Sequence, residues 1–427
     1  MKNIPRDQRP KRTVCAMVQL NRRTLLTQLG LLGAAGLADA FLLRRSSGQS
    51  ATSVQPGHAL LHSQPFLSGT GGYSCYRTPG LAISRTGTVL AFCGGRRDNC
   101  KDEGNIDVLL RRSTNGGRSW GPLQVIANDG RNPCKIPLPV VLPNGRILLL
   151  WLWNAAVRRE ADRGKRFLRL THSDDDGLSW APARDITEQV RKPGWKPWYG
   201  IGPGHGIVKQ RPPAIGRIVI PARHGRRGRG SASHLLLSDD NGRSWRVGAV
   251  ASYSPSSECT VAELGDGSLM LNSRSQGGRR VVSISRDGGL SMASSAPDPQ
   301  LIEPQNGCQA SLLTYAFRAH GQATLLFANP SDLQHRTNGR LRLSHDNGNR
   351  WTRGYRYDQG AGSFSGYSDL ARFADGDIAL LSEAGLSYHK ARGEEKRRNR
   401  RRLDGRGDRR HDGILFQRLP FALVAGS

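Results

Sequence analysis

Short apolar runs, not long amphipathic helices, dominate the chain after residue 45. Strand-length runs of Val, Ile and Leu occur at residues 106–110, 146–151 and 234–237, and two of them lead directly into glycine-containing turn sequences. No long stretch shows the 3.6-residue spacing of apolar positions that is typical of a helix. The pattern therefore predicts an all-β protein.

A turn motif recurs along the chain in the form Ser-x-Asp/Asn-x-Gly-x-x-Trp, with Met292 in place of the tryptophan in the fourth copy. In such a turn the Asp or Asn side chain accepts hydrogen bonds from nearby backbone N–H groups, and glycine takes the positive φ angle. The tryptophan is expected to pack the turn onto its sheet. The five copies begin at Ser113, Ser173, Ser238, Ser285 and Ser344.

The spacing of these copies predicts the architecture. Their starts lie 60, 65, 47 and 59 residues apart, which is typical of one four-stranded propeller blade per repeat. Five copies do not by themselves fix the number of blades. About 360 residues follow the N-terminal segment, and blades of roughly 60 residues divide them into six. We therefore expect a six-bladed β-propeller.

Composition and charge exclude some classes of protein. The 427 residues are 37% hydrophobic and 23% charged, which fits a globular protein and excludes a multi-span membrane protein. The net charge of +29 is concentrated in the N-terminal segment to Arg23 and in the runs 223–229 and 392–410. Such runs are typical of solvated loops or tails. Because no helix-turn-helix, zinc-finger or RRM pattern accompanies them, we expect no specific nucleic-acid partner, although non-specific attraction to anionic surfaces stays open.

The N-terminal segment has the features of an export signal. Arg22 and Arg23 form a twin-arginine motif before a weakly apolar stretch, and residues 38–40 have the A-x-A form of a cleavage site. This stretch is too polar for a stable membrane span. We expect export to the periplasm or the extracellular space by the twin-arginine route. The predicted leader, linker and folded domain are residues 1–45, 46–70 and 71–427.

The cysteines argue against a structural metal site. None of the seven forms a C-x-x-C pair, so we expect no zinc, and nothing in the sequence indicates another cofactor. Cys93 and Cys100 are close enough in sequence to close a short disulfide loop in an oxidising compartment. Free thiols are equally compatible with the sequence.

Several segments resemble the sialidases (neuraminidases) of glycoside hydrolase family 33. The repeated turns are similar to that family's Asp boxes, also called BNR repeats, and residues 76–79 resemble its Tyr-Arg-Ile-Pro motif. The resemblance runs from about residue 73 to 420. It implies a monomeric retaining exo-α-sialidase, which hydrolyses terminal sialic acids from sialylated glycans. Further matching segments are residues 91–96, 132–134, 202–205, 258–263, 271–274 and 366–370.

The substrate of such enzymes carries a carboxylate on its anomeric carbon, which must be held by fixed cations. Arginine suits this task because its planar fork makes bidentate, charge-assisted hydrogen bonds and stays protonated. The resemblance assigns the three arginines of the family to Arg77, Arg274 and Arg336. Arg340 and Arg342 are close competitors for the third position.

The resemblance also assigns the catalytic groups. Tyr367 matches the nucleophile, which sialidases use in place of a carboxylate. A neutral phenol avoids repulsion by the substrate carboxylate but needs a base, and Glu258 matches that base. Asp102 matches the acid/base that protonates the leaving group. Asp98 and Glu103 are close to it in sequence, and an ordinary surface loop without a catalytic role would look similar.

Two more residues, and one departure, complete the predicted site. Arg96 matches an additional pocket arginine, and Glu383 matches the carboxylate that pairs with the first arginine of the triad. Gly94 stands where many sialidases have glutamate, so hydrolysis of a related 2-keto acid sugar such as Kdn or Kdo stays open. The basic segment 391–412 precedes the predicted final strand, 413–424, and is not expected in the family. A non-catalytic Asp-box propeller that binds glycans is the other alternative, and the matched catalytic set argues against it.

Overall fold

The computed structural model describes residues 60–156, 166–196, 199–226, 230–360, 362–387 and 411–427. The predicted leader, including Arg22 and Arg23, and all but the last two residues of the basic segment 391–412 lie outside these ranges. Within them the chain is nearly all strand, and the strands form six antiparallel sheets. Both predictions, the all-β class and the six-bladed propeller, are confirmed.

Blades 1 and 2 each contain four strands in chain order, with the first strand innermost. Blade 1 consists of β2 (Cys75–Ile83), β3 (Val89–Arg96), β4 (Ile106–Ser113) and β5 (Gln124–Ala127). Blade 2 consists of β6 (Cys134–Val141), β7 (Ile147–Asn154), β8 (Arg166–Ser173) and β9 (Arg184–Asp185). The runs 106–110 and 146–151 lie in or at the start of β4 and β7, as predicted.

Blade 3 has five strands because its innermost position is shared by two short strands. It consists of β10 (Tyr199–Ile201), β11 (Ile207–Val208), β12 (Ile218–Arg226), β13 (Gly230–Ser238) and β14 (Arg246–Val250). Blade 4 consists of β15 (Cys259–Glu263), β16 (Leu269–Ser273), β17 (Arg279–Ser285) and β18 (Ser294–Ile302). Blade 5 consists of β19 (Ser311–Phe317), β20 (Ala323–Pro330), β21 (Gly339–Ser344) and β22 (Tyr355–Arg356).

Blade 6 closes the ring with strands from both ends of the domain. Its outer strand is the first strand of the described residues, and the sheet order is β1, β25, β24, β23. Residues 61–67, which we assigned to a linker, therefore belong to the propeller, because the last blade needs them as its fourth strand. The strands are β1 (Leu61–Leu67), β23 (Ser363–Arg372), β24 (Ile378–Ser387) and β25 (Gly413–Leu419).

Two short helices complete the described structure, α1 (Thr187–Val190) after β9 and α2 (Phe421–Ala425) after β25. The predicted final strand, 413–424, is therefore too long. It ends at Leu419 because Pro420, which has no N–H for the ladder, starts the turn into α2. None of the helices in the described ranges is long and apolar enough to span a membrane.

The Asp boxes occupy equivalent places in five blades, in the turn between the third and fourth strands. In the first box Ser113 Oγ accepts from the backbone N–H of Gly117 at 2.9 Å, and Asn115 Oδ1 accepts from Ser119 N at 3.0 Å. The fourth box keeps the same hydrogen bonds around Asp287 although it lacks the tryptophan. Blade 6 has no such turn because its fourth strand, β1, comes from the other end of the domain, which explains five boxes in six blades.

Apolar side chains fill the interfaces between neighbouring blades. They also fill the interface between blades 6 and 1, where the ring closes. Phe92 of blade 1 and Trp151 of blade 2 belong to one buried apolar cluster, and the ring of Trp120 of the first box lies 5.3 Å from the ring of Phe416 in β25. The boxes lie where third strands end, so the opposite face of the propeller carries the starts of the first and third strands and the ends of the second strands. Every predicted site residue lies on or near this opposite face.

Candidate active site

A cavity of about 610 Å³ opens on the face opposite the Asp boxes. Strands or loops from several blades line it, because the innermost strands converge at the propeller axis. Most of the residues that line it are charged or polar. Among the residues that line it are Arg77, Arg96, Asp102, Lys135, Arg223, Glu258 and Tyr367.

Tyr367 and Glu258 form the centre of this site. The phenol Oη of Tyr367, on β23, donates a hydrogen bond of 2.5 Å to Oε1 of Glu258, which immediately precedes β15. Both residues are buried. The pairing of β23 with β24 is interrupted by a bulge between Ser365 and Ser368, a device that commonly re-aims a side chain next to an active site. A phenol paired with a carboxylate has the geometry of a nucleophile and its base.

The three predicted arginines surround Tyr367 from three different blades. Nη1 of Arg274, just after β16, lies 2.8 Å from Oε2 of Glu258 and 3.4 Å from Tyr367 Oη. The guanidinium carbons of Arg77 and Arg336 lie 5.6 and 5.3 Å from the centre of the Tyr367 ring. The structure thus brings three cations to one point, as binding of a carboxylate substrate requires.

Glu383 lies beside Arg77, as the resemblance implies, and it also fixes the backbone of the site. Its buried carboxylate is 3.4 Å from Nε of Arg77 and accepts hydrogen bonds from the N–H groups of Thr78 at 2.9 Å and Tyr367 at 3.2 Å. Burial raises the pKa of Glu383, but Arg77, His411 and these donors together outweigh it and lower the pKa below its ordinary value. Glu383 is therefore an ionised anchor that joins β2, β23 and β24.

Asp102 lies at the rim of the cavity, in the loop between β3 and β4. Its side chain is 64% exposed, and Oδ1 lies 2.8 Å from Nη2 of Arg96 and 3.7 Å from Nη1 of Arg77. Partial burial raises the pKa of Asp102, but Arg96 and then Arg77 lower it, so the pKa lies well below its usual range. The carboxyl is therefore ionised in the unliganded protein. Asp98 and Glu103 line the same cavity.

Arg223 is a site residue that the sequence analysis missed. It lies within β12, is 7% exposed, and its Nη1 is 3.2 Å from Oε1 of Glu258. The prediction that the run 223–229 is a solvated loop is wrong for its first residues, because β12 continues to Arg226. The apolar residues 218–222 directly before Arg223 were the available signal, since they make it part of a buried strand.

Lys135 is the second missed residue. It lies on β6, is 9% exposed, and its Nζ donates to the backbone oxygen of Asp102 at 2.8 Å. Burial lowers the pKa of Lys135 to about 8, against the opposing effect of Asp102. The matched segment 132–134 ends one residue before it, so the resemblance gave no reason to select it.

The disulfide of the domain joins Cys75 and Cys100, not Cys93 and Cys100. Cys75 is paired with Arg96 in the ladder between β2 and β3, which places it next to the loop that follows Arg96. Cys93 lies in the interior of β3 and is a buried free thiol in the described part of the chain. The short sequence separation of Cys93 and Cys100 was a poor guide to the disulfide pairing, because β2 and β3 bring residues 25 positions apart into contact.

Comparison with known proteins identifies the family. Residues 87–380 match the model of the BNR repeat-like domain. The chain is 31% identical over 344 residues to an exo-alpha-sialidase of Aspergillus fumigatus, covering 73% of this chain and 79% of that protein. It is 30% identical over 386 residues to a sialidase of Micromonospora viridifaciens, covering 85% of this chain and 59% of that longer protein.

Solved structures agree with this result. The Hadza microbial sialidase Hz136 superposes with a TM-score of 0.69 at 25% identity, covering 85% of this chain and 69% of that one. A leech intramolecular trans-sialidase shares the fold, with a TM-score of 0.70 at 17% identity over 86% of this chain and 71% of that one. The protein is thus a member of the BNR-repeat sialidase family of glycoside hydrolases.

Proposed function

We propose that this protein is a retaining exo-α-sialidase that releases terminal sialic acids from glycoconjugates. The observation that carries the proposal is the 2.5 Å hydrogen bond between Tyr367 and Glu258 inside a ring of three arginines. A ring of cations binds the carboxylate of the sugar and so places its anomeric carbon over the phenol. The names of the two relatives at 30–31% identity support the same activity.

In the first step the phenol attacks the anomeric carbon. Glu258 accepts the proton of Tyr367, the new bond forms between Oη and the anomeric carbon, and the glycosidic bond breaks. Asp102 gives its proton to the departing oxygen, so the aglycone leaves as a neutral alcohol. The three arginines hold the substrate carboxylate throughout. They therefore keep the sugar in the orientation that the reaction needs.

In the second step water replaces the tyrosine. The Asp102 carboxylate accepts a proton from water, the water oxygen bonds to the anomeric carbon, and the bond to Tyr367 breaks. Glu258 returns its proton to the phenolate. Because the anomeric carbon inverts twice, the product keeps the α configuration, and each group ends in the protonation state in which it began.

The electrostatics explain how Asp102 gains its proton. In the unliganded site Arg96 and Arg77 lower the pKa of Asp102. A bound substrate carboxylate adds negative charge beside Arg77 and offsets part of that effect, and the aglycone removes water from the exposed carboxyl. Both changes disfavour the ionised form and raise the pKa. Substrate binding therefore prepares the acid.

A single hydroxyl tests the proposal. Tyr367→Phe removes the nucleophile with little change in shape, and we expect kcat/KM for release of sialic acid from a sialoside to fall on the order of 100-fold or more. Tyr315→Phe is the matched control, because its hydroxyl bonds to Gly376 O away from the cavity. Equal activities of the wild type and Tyr367→Phe would reject the proposed nucleophile.

The identity of the sugar is tested separately. Gly94 pairs with Arg77 in the ladder, and a Cβ at this position would lie 3.1 Å from Thr78 Oγ1, so a larger side chain would press on the strand that carries Arg77. Because the two relatives at 30–31% identity are named as sialidases, we propose a sialic acid, Neu5Ac, as the principal sugar. Rates on aryl glycosides of Neu5Ac, Kdn and Kdo decide it, and faster cleavage of Kdn or Kdo would reassign the specificity.

We further propose that the protein is exported by the twin-arginine route. The motif at Arg22 and Arg23 supports it. The Cys75–Cys100 disulfide adds weight, because structural disulfides persist mainly in oxidising compartments.

A further inference from the structure

The loop that carries Asp102 has little apolar packing to hold it. Between β3 and β4 its side chains are mostly charged or polar and exposed. A proton donor must nevertheless be held to within about 0.5 Å of its productive position. Polar contacts to water-exposed groups restrain such a loop weakly. The exposed members of the loop are Arg97, Asp98, Asn99, Lys101, Asp102 and Glu103.

Several polar contacts and one covalent bond anchor the loop. Nε of Arg96 donates to Lys101 O at 2.9 Å, Nη2 of Arg96 donates to Asp102 Oδ1 at 2.8 Å, and Lys135 Nζ donates to Asp102 O at 2.8 Å. The covalent bond is the disulfide of Cys100, two residues before Asp102, to Cys75. Cys75 is fully buried in β2, two residues before Arg77. The covalent anchor thus ties the Asp102 loop to the strand that holds the first substrate-binding arginine.

We propose that the Cys75–Cys100 disulfide positions the proton donor, so that full activity on natural glycosides depends on its oxidation. This inference rests on the proposed role of Asp102 as the acid. Tyr367, Glu258 and Arg274 are held by other blades, so opening the disulfide leaves the nucleophile and its base in place. The loss is therefore confined to the step in which the leaving group needs a proton.

The identity of the leaving group makes this separation measurable. A natural glycoside departs as a basic alkoxide unless it is protonated, whereas 4-methylumbelliferone departs as a stabilised phenolate. A misplaced acid slows the first reaction and spares the second. Damage to the arginines, to Tyr367 or to the fold slows both reactions together.

The experiment compares kcat/KM for 3′-sialyllactose and for the 4-methylumbelliferyl sialoside. The proteins are the full-length oxidised wild type, the wild type reduced with dithiothreitol, and the variant Cys75→Ala/Cys100→Ala. Exchange with dithiothreitol converts the disulfide to two thiols and oxidises the reagent, and Cys100 is the more exposed of the two cysteines. We expect the ratio of the two rates to fall about tenfold or more in the reduced and double-variant proteins, with the aryl rate within about threefold of the wild type.

Matched controls separate positioning from stability. Cys93→Ala removes a buried free thiol from the neighbouring strand and should leave the ratio unchanged. Dithiothreitol should not alter the ratio of the double variant. A thiol count reports the degree of reduction, and circular dichroism reports the fold. If the double variant does not fold, the reduced wild type decides, because it starts from folded protein.

The outcomes are distinct. An unchanged ratio after complete reduction overturns the inference. An equal loss of activity on both substrates, with or without unfolding, also overturns it, because the disulfide would then support the fold or the whole site and not the proton donor in particular. The Asp102→Ala variant shows how far the ratio of the two rates falls when the proton donor is absent. If it shows no selectivity between the substrates, the proposed acid is wrong; if it is selective and the reduced protein is not, only the positioning role fails.

Discussion

At the scale of single residues, the site consists of opposite charges arranged around one phenol. Glu258 contacts Arg274 on one carboxylate oxygen and Tyr367 and Arg223 on the other. The carboxylate of Glu383 forms an ion pair with Nε of Arg77. Each carboxylate therefore orients an arginine or the tyrosine.

Arg274→Lys tests whether the shape of the cation matters as much as its charge. Lysine keeps the charge but loses the fork that reaches Glu258 and, through Nη2, the Asn306 carbonyl at 2.6 Å. We expect kcat/KM to fall by a factor corresponding to about 2 kcal/mol. Arg146→Lys, which changes an exposed ion pair with Asp174, is the control and should leave kcat/KM unchanged. Near-wild-type kinetics of Arg274→Lys would remove it from the triad.

The charge of Glu383 should appear in the pH dependence of stability. Its pKa in the folded protein is below the ordinary value of 4.5, so its stabilising effect is complete above that pH and is lost as pH falls through the folded pKa. Glu383→Gln should therefore lower the free energy of unfolding by about 2 kcal/mol at pH 7, and the difference should shrink below pH 4.5. Urea unfolding at several pH values measures it, with exposed Glu188→Gln as the control. A pH-independent difference would contradict this account.

The sequence identified site residues where they lie in continuous motifs, and it failed where neighbouring strands create the contact. Arg77, Arg274 and Tyr367 stand in segments that match the family, and the structure brings them together. Lys135 and Arg223 reach the site only because β6 and β12 place them there. The same holds for Cys75 and Cys100, whose proximity follows from the ladder between β2 and β3.

At the scale of elements, the Asp box is a self-contained turn that also joins neighbouring blades. The box of blade 1 contacts blade 6, where Ser63 of β1 donates to Gly117 O at 2.6 Å and accepts from Trp120 Nε1 at 3.0 Å. The internal hydrogen bonds of the box survive without its tryptophan in blade 4. Periodicity could therefore predict the turns and the third strands, whereas the inter-blade contacts depend on closure of the ring.

Gly117→Ala tests how tightly the first box packs. Gly117 has φ 88°, and an added Cβ would overlap the ring of Phe416 in blade 6. Gly87 has φ 90° with open space around it, so Gly87→Ala should show only the backbone cost of about 1–2 kcal/mol. We expect Gly117→Ala to lower the free energy of unfolding by about 2–3 kcal/mol more than Gly87→Ala does. Equal effects in urea unfolding would mean that the box does not pack against blade 6.

At the scale of the whole molecule, ring closure is the feature that the sequence concealed. The number of blades followed from length and period, but β1 carries no box and was assigned to a linker. Its pairing with β25 involves residues more than 300 positions apart, which local patterns do not report. Phe66 shows why the strand belongs there, because it is buried and its ring lies 5.3 Å from that of Tyr76 in blade 1.

Export is a second property of the whole molecule, and Arg22→Lys/Arg23→Lys tests it. The twin-arginine pathway recognises the arginine pair, so we expect the variant to stay in the cytoplasm while the wild type reaches the periplasm or the medium. Cell fractionation with an activity assay on each fraction measures the outcome. Unchanged fractionation of the double-lysine variant would show that the leader is not a twin-arginine signal.

The stereochemistry of the released sugar tests the central claim most directly. A tyrosine nucleophile inverts the anomeric carbon twice, so proton NMR of a sialoside incubated with the enzyme should show α-sialic acid first, followed by slow conversion to the β-anomer in water. Tyr367→Phe should remove that early signal. Initial release of the β-anomer would contradict a retaining mechanism through Tyr367, and no release of sialic acid at all would contradict the proposed activity.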